Sequence, residues 1–215
     1  MPNNVLIGQL IDSGYLKKPD IIKAFEKINR ADFVPSEQTI QAYQNIPLPI
    51  GSGQTISQPL TVAFMLELLR PEKGDKILEI GFGSGWQTSL MAELVGPKGR
   101  IFAIERIQEV YDLGKKNLEK YDFINKGIVK LYYQDGSKGL KTEALFDKII
   151  SAASIDCKDE KILESVPKAW KKQIKTGGII VTPINYSIFR FKKISDDKFE
   201  IEEYPGFVFV PLVRR

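Results

Sequence analysis

The sequence predicts an α/β protein: a doubly wound, mostly parallel sheet with an antiparallel C-terminal hairpin, preceded by an N-terminal helical extension. Three observations predict it. From Ile77 onward, short apolar β-rich runs alternate with helical stretches, the pattern of a parallel sheet with helices on both faces. The first of these runs, Ile77-Leu78-Glu79-Ile80, passes straight into a glycine-rich turn, Gly81-Phe82-Gly83-Ser84-Gly85. The length, 215 residues, suits one such domain with a small extension and a core that needs no staples.

The elements follow in order. Asn3 or Asn4 caps a first short helix carrying Leu6 and Leu10, with Gly14 as its stop. Pro19 and Asp20 open a second, striped by Ile21, Ile22, Phe25 and Ile28. Residues 42–60 hold Pro47, Pro49, Gly51, Gly53 and Pro59 and read as a long irregular, functional loop. From Pro59 a helix presents Val62, Met65, Leu66 and Leu69 on one face. Strand 77–80 is followed by a helix at 86–95, strand 101–104, a helix at 108–120, strand 128–133 and strand 146–151. A helical stretch over 159–175 is interrupted near Pro167, and Gly177-Gly178 turns into strand 179–181. Segments 187–194 and 199–210 make the closing hairpin across Ser195-Asp196-Asp197.

Composition excludes several chemistries. There is no histidine, which removes histidine-based acid–base catalysis, Ser-His triads and His-ligated zinc. The single cysteine, Cys157, permits neither an internal disulfide nor a cysteine metal cluster, so no metal site is expected. A net charge of +4, with basic residues scattered among acids, permits a nucleic-acid partner without arguing for one. The start, MPNNVLIGQL, lacks the pattern of a secretory signal, and no run approaches the ~20 apolar residues of a membrane span. The expectation is a cytoplasmic enzyme with no membrane partner.

The glycine turn is the strongest local signal. Glycines let a backbone turn sharply and approach a ligand closely, and open α/β sheets bind ligands at the carboxyl ends of their strands. The spacing is G-x-G-x-G (Gly81, Gly83, Gly85), with Glu79 just upstream. A carboxylate there would repel the pyrophosphate of a dinucleotide but suits the ammonium and sulfonium of S-adenosylmethionine. That argues against an NAD-dependent dehydrogenase. Glu105, ahead of Arg106, ends the next strand about 20 residues on, where an acid accepts ribose hydroxyls. Asp135, before Gly136, ends the third and is placed to meet an adenine amino group. Taken singly, Glu105 reads as a solvated acid and Asp135-Gly136 as a turn; at one sheet edge they form a nucleoside pocket.

The segment ahead of this unit narrows the reading. It contains Arg30-x-x-Phe33-Val34-Pro35, Pro47-Leu48-Pro49-Ile50-Gly51 and Gly53-Gln54-Thr55-Ile56-Ser57-Gln58-Pro59. Downstream come Asp135-Gly136-x-x-Gly139, Phe146-Asp147-Lys148-Ile149-Ile150-Ser151-Ala152-Ala153, Gly177-Gly178 and Val210-Pro211-Leu212. Over residues 30–212 the chain resembles the protein-L-isoaspartate O-methyltransferase family of class I, Rossmann-like methyltransferases. The resemblance implies transfer of a methyl group from S-adenosylmethionine, leaving S-adenosylhomocysteine, to the α-carboxylate of isoaspartyl residues in damaged proteins. The ester then closes to a succinimide, part of which reopens to normal aspartate. A carboxylate is already ionised at pH 7 and needs no general base, so a histidine-free chain can align the reactants and exclude water.

By the resemblance, residues 1–58 form a helical and loop extension that is part of the substrate site, and 59–215 form the donor-binding domain. Ser57 is the expected catalytic residue, orienting the acceptor carboxylate; as a bare sequence it reads as a cap for the helix at Pro59. Gln54, Thr55 and Ile56 pass beside the donor, with Ser57, Glu79, Gly81, Gly83, Gly85, Glu105, Arg106, Asp135 and Gly136 completing its site. Tyr43, Asn45, Pro47, Ile50 and Leu60 are the expected substrate residues. The chain departs from the family at Leu60, where histidine is usual, at Asn45, where an acid is usual, and at Phe82 and Trp86. The stretch Cys157 to Pro167 is also longer than expected. Two other readings stay open: a class I methyltransferase with a small-molecule or RNA acceptor, and a non-catalytic relative that binds the donor. Ser151-Ala152-Ala153-Ser154 lacks the N/D-P-P-Y element of base methylation, which counts against RNA. Oligomeric state is not given by the sequence.

Overall fold

A computed structural model describes residues 3–159 and 161–213. The expectations at Met1 and Pro2, at position 160 of the 159–175 stretch, and at the last two residues of the 59–215 unit lie outside the described residues. A seven-stranded sheet forms the centre, with strands β3 (Lys76–Ile80), β4 (Arg100–Glu105), β5 (Val129–Tyr133), β6 (Phe146–Ser151), β7 (Ile174–Ile184), β8 (Ser187–Lys193) and β9 (Phe199–Pro205). Their order is β5-β4-β3-β6-β7-β8-β9. The pairs from β5 to β7 are parallel; β7–β8 and β8–β9 are antiparallel, which gives the expected C-terminal hairpin. The chain leaves β3 toward β4 and β5, then returns to the other side of β3 as β6. That reversal opens a crevice at the carboxyl ends of β3, β4 and β6.

Alternation along the strands sorts side chains into two cores. Ile77 and Ile101 face one side, with α1 (Asn3–Asp12), α2 (Pro19–Lys27), α3 (Pro59–Leu69), α4 (Trp86–Val95) and α5 (Gln108–Glu119). Leu78, Ile80, Phe102 and Ile104 face the other, with Trp170 of α7 (Lys168–Gln173) and the short α6 (Ile162–Ser165) beside it. Leu6, Phe25 and Phe33 belong to the first core, so the N-terminal helices share one apolar interior with the sheet.

Three local expectations are corrected. The stretch 42–60 is not irregular throughout: β1 (Leu48–Gly51) and β2 (Gln54–Ile56) pair antiparallel around Ser52-Gly53. Gly51 and Gly53, both at positive φ, turn the chain there. Gly177-Gly178 does not precede a strand; it lies inside β7, which starts at Ile174, so the helical stretch ends at Gln173. The pairing with β6 shifts register between Phe146↔Ile174 and Lys148↔Ile179, and Gly177 takes φ +81 in the resulting bulge. The last strand stops at Pro205 rather than continuing to residue 210, because the chain leaves the sheet and crosses back over its carboxyl edge.

Candidate active site

A cavity of about 640 Å³ occupies the crevice. Its floor is the glycine turn. The Gly81 and Phe82 N–H groups donate to the Ile104 carbonyl at 2.8 and 3.2 Å, tying the turn to β4. The Asn117 side chain donates to the Ser84 carbonyl at 3.0 Å, tying it to α5. Gly81, Gly83 and Gly85 have φ of +77, +55 and +84, a region that favours glycine. A Cβ at Gly81 would enter open space, so a ligand can approach the backbone there. A Cβ at Gly85 would lie 2.9 Å from Leu118, so this third glycine serves the packing of α5 and is not among the cavity's lining residues.

Glu79 and Glu105 both line the cavity, in different surroundings. Glu79 is wholly buried and accepts from the Thr88 hydroxyl at 2.6 Å and the Gln87 amide at 3.1 Å. Burial pushes its carboxyl up to about 7, against the pull of those two hydrogen bonds. Glu105 Oε1 accepts the Arg106 and Ile107 N–H groups at 2.7 and 3.0 Å; Oε2 accepts only a long bond from Gly83 N–H at 3.3 Å, which leaves capacity for a hydroxyl donor. Arg106 also lines the cavity. Beyond β5, Gln134 and Gly136 line it, whereas Asp135 does not; its Oδ1 accepts the Ser137 N–H at 2.8 Å and starts a short turn.

The hairpin supplies the opposite wall through Pro47, Gln54, Thr55, Ile56 and Ser57. Ser57 is not the cap of α3. The Leu60 N–H in the first turn is taken by Asn45 Oδ1 at 2.9 Å, and Gln58 Nε2 donates back to the Asn45 carbonyl at 2.9 Å. Asn45 thus provides the acceptor that an acid would provide. Tyr43, Asn45, Ile50 and Leu60 are not among the residues that line the cavity: the Tyr43 hydroxyl donates to Asn29 Oδ1 at 2.6 Å, and Leu60 packs on the core.

The third wall was not anticipated. Residues 206–213 run along the cavity as a strap. Ser154 N–H donates to the Val210 carbonyl and Leu212 N–H to the Ser154 carbonyl, at 2.8 and 2.7 Å. Gly206 and Phe207 N–H groups both donate to the Tyr186 carbonyl, and Phe207 stacks on Phe64 of α3 with ring centroids 5.4 Å apart. The late Val210-Pro211-Leu212 element was visible, but nothing local in it indicates a cavity. Ala152 and Ala153 also line the site and could have been found, since they follow the carboxyl end of β6.

A family model described as protein-L-isoaspartate(D-aspartate) O-methyltransferase matches residues 1–215. The chain belongs to this family. A protein-L-isoaspartate O-methyltransferase of Ignicoccus hospitalis is 40% identical over 212 residues, covering 97% of this chain and 95% of the relative. One from Methanopyrus kandleri is 38% identical, covering 97% and 89%. A solved protein-L-isoaspartate O-methyltransferase superposes with a TM-score of 0.84 at 28% identity, over 98% of this chain and 65% of that one. A Plasmodium falciparum protein of the same description, solved with S-adenosyl-L-homocysteine, superposes with a TM-score of 0.86 over the whole of both chains; at 19% identity it shows the shared fold. The fold of this family member is the class I, Rossmann-like methyltransferase sheet with its N-terminal helices and antiparallel C-terminal strands.

Proposed function

We propose that the protein transfers a methyl group from S-adenosylmethionine to the α-carboxylate of isoaspartyl residues, the opening step of repair in damaged proteins. One observation carries the reading: in a chain of this family, a single cavity joins the donor-type floor of the glycine turn and Glu105 to a hairpin wall bearing Ser57. The residues fit the donor. The open backbone at Gly81 gives close approach, buried Glu79 offers negative charge to its cationic end, and Glu105 Oε2 accepts a ribose hydroxyl. Gln54, Thr55 and Ile56 lie alongside, and the end of β5 around Gln134–Gly136 takes the adenine end. S-adenosylmethionine supplies a methyl group already activated on a sulfonium.

The chain's own tasks are then alignment and exclusion of water. An acceptor carboxylate is ionised at neutral pH, so no side chain must remove a proton from it. Ser57 donates its hydroxyl hydrogen to one carboxylate oxygen and so points the other along the line of attack. The strap of residues 206–213 closes a further side of the cavity. Among the described residues no helix is long and apolar enough to cross a membrane, and no group of His, Cys, Asp and Glu could hold a metal ion. Isoaspartyl peptides in the cytoplasm are the partners that this reading assigns.

The test is methyl transfer from labelled S-adenosylmethionine to an isoaspartyl peptide, beside the same peptide with normal aspartate. Base-labile label on the isoaspartyl peptide alone is the expected result. No label on either, with the donor still bound, would overturn the acceptor assignment. Ser57→Ala is expected to lower turnover about 10-fold or more, as loss of an orienting group does, with donor affinity little changed. An equal loss of donor affinity in calorimetry would move Ser57 to the donor site.

A further inference from the structure

Arg30 has a place in the fold that neither charge pairing nor packing explains. It is 1% exposed, and among the described residues no carboxylate bonds to it. Its guanidinium instead donates to four backbone carbonyls of the segment that carries the hairpin wall. Nη1 reaches the Ala42 carbonyl at 2.7 Å and Gln44 at 3.3 Å. Nη2 reaches Ile46 at 3.0 Å and Ser57 at 3.1 Å. Ile46 and Ser57 flank the β1–β2 hairpin, so a single nitrogen pins both ends of its base. The planar fork of arginine can span such carbonyls, whereas an ammonium concentrates its donors on one atom. On its other side the guanidinium carbon lies 5.1 Å from the ring centre of Trp86, the residue that follows the glycine turn and itself lines the cavity.

We propose that Arg30 is a positioning residue for methyl transfer, fixing the Ser57 backbone and the hairpin at a set distance from the donor-binding turn through Trp86. The proposal rests on the acceptor role given to Ser57 above. The bond holds the carbonyl of Ser57 itself, the residue whose hydroxyl is proposed to orient the acceptor. A misplacement of about 1 Å at such a site lowers turnover by as much as about 100-fold. Burial pulls the guanidinium pKa down to about 9, so it remains protonated at neutral pH and keeps all its donors.

Arg30→Lys provides the test, with amide hydrogen exchange, calorimetry with S-adenosylhomocysteine, and kinetics on an isoaspartyl peptide measured together. The expected result is exchange about tenfold faster in residues 46–57, the scale of a lost charged hydrogen bond, with β3 and β4 unchanged. Donor affinity should stay within about threefold, and kcat should fall more than KM rises, by about tenfold to 100-fold. Unchanged exchange in 46–57, or acceleration spread equally over the sheet, would overturn the proposal. Should Arg30→Lys not fold, the unaltered protein still decides: its Arg30 Nη protons are expected to be resolved and slow to exchange, and freely exchanging ones would overturn it. If the unaltered enzyme leaves isoaspartyl peptide unmethylated, the functional reading fails, whereas the exchange measurements still decide whether Arg30 fixes the hairpin.

Discussion

Glu79 and Glu105 stand at adjacent strand ends, and their partners separate their roles. Glu105 has backbone N–H donors on both oxygens, which organise the glycine turn and the start of α5. Glu79 has two neutral side-chain donors and complete burial, and its carboxyl is raised to about 7. The sign of the consequence follows. The folded protein holds this proton more tightly than an unfolded chain at the ordinary 4.5, so this group's share of stability declines as pH rises from about 4.5 to about 7. Donor affinity runs the other way, because a cationic ligand favours the ionised form. S-adenosylhomocysteine, which keeps the ammonium, should bind about tenfold more weakly at pH 6 than at pH 8, and Glu79→Gln should flatten that profile. Calorimetry across the range checks it; a flat profile in the unaltered protein would separate Glu79 from the ligand's charge.

At the scale of elements, the closeness of α5 to the glycine turn decides the cavity floor. Gly114, in the middle of α5, permits it: a Cβ there would lie 2.3 Å from the Gly83 carbonyl oxygen and 2.5 Å from the Phe82 ring. Helix propensity alone would make Gly114→Ala stabilising by about 1 kcal/mol. The clash is with backbone, so overpacking should prevail, with a net loss of about 1–3 kcal/mol and weaker donor binding as the turn is pushed into the cavity. Denaturant melts with calorimetry on the same variant read both effects. A gain in stability with intact binding would mean that α5 moves away freely. The irregularity in β7 is a second case where a glycine serves element geometry: between Ile174 and Ile179 the strand takes up three residues more than β6 does, Gly177 turns there at positive φ, and the rest of β7 keeps its apolar face on the core.

On the scale of the whole molecule, the cavity is built from segments far apart in the chain. Gln54–Ile56 of the hairpin and the strap of residues 206–213 both line it, with the glycine turn between β3 and α4. The strap follows β9, so a chain ending at Pro205 should keep all seven strands and lose one wall. We expect its melting point to fall by only a few degrees, about 2–4 °C for each 1 kcal/mol lost, while donor affinity falls about tenfold or more. Thermal melts and calorimetry check this together; full donor affinity in the shortened protein would show that the strap acts on the acceptor alone. The sequence by itself determined the alternating elements, the glycine turn and the acids at successive strand ends, because hydrophobic period and positive-φ glycines are local properties of a chain. Its motifs also carried the family resemblance. Only the tertiary structure decided that Asn45 rather than Ser57 holds the start of α3, that Gln134 and Gly136 line the cavity on either side of Asp135, that Arg30 bonds both ends of the hairpin, and that residues 206–213 form a wall of the site. Those depend on contacts between residues up to well over a hundred positions apart, whose meeting is set by sheet order and packing, and no local pattern encodes them.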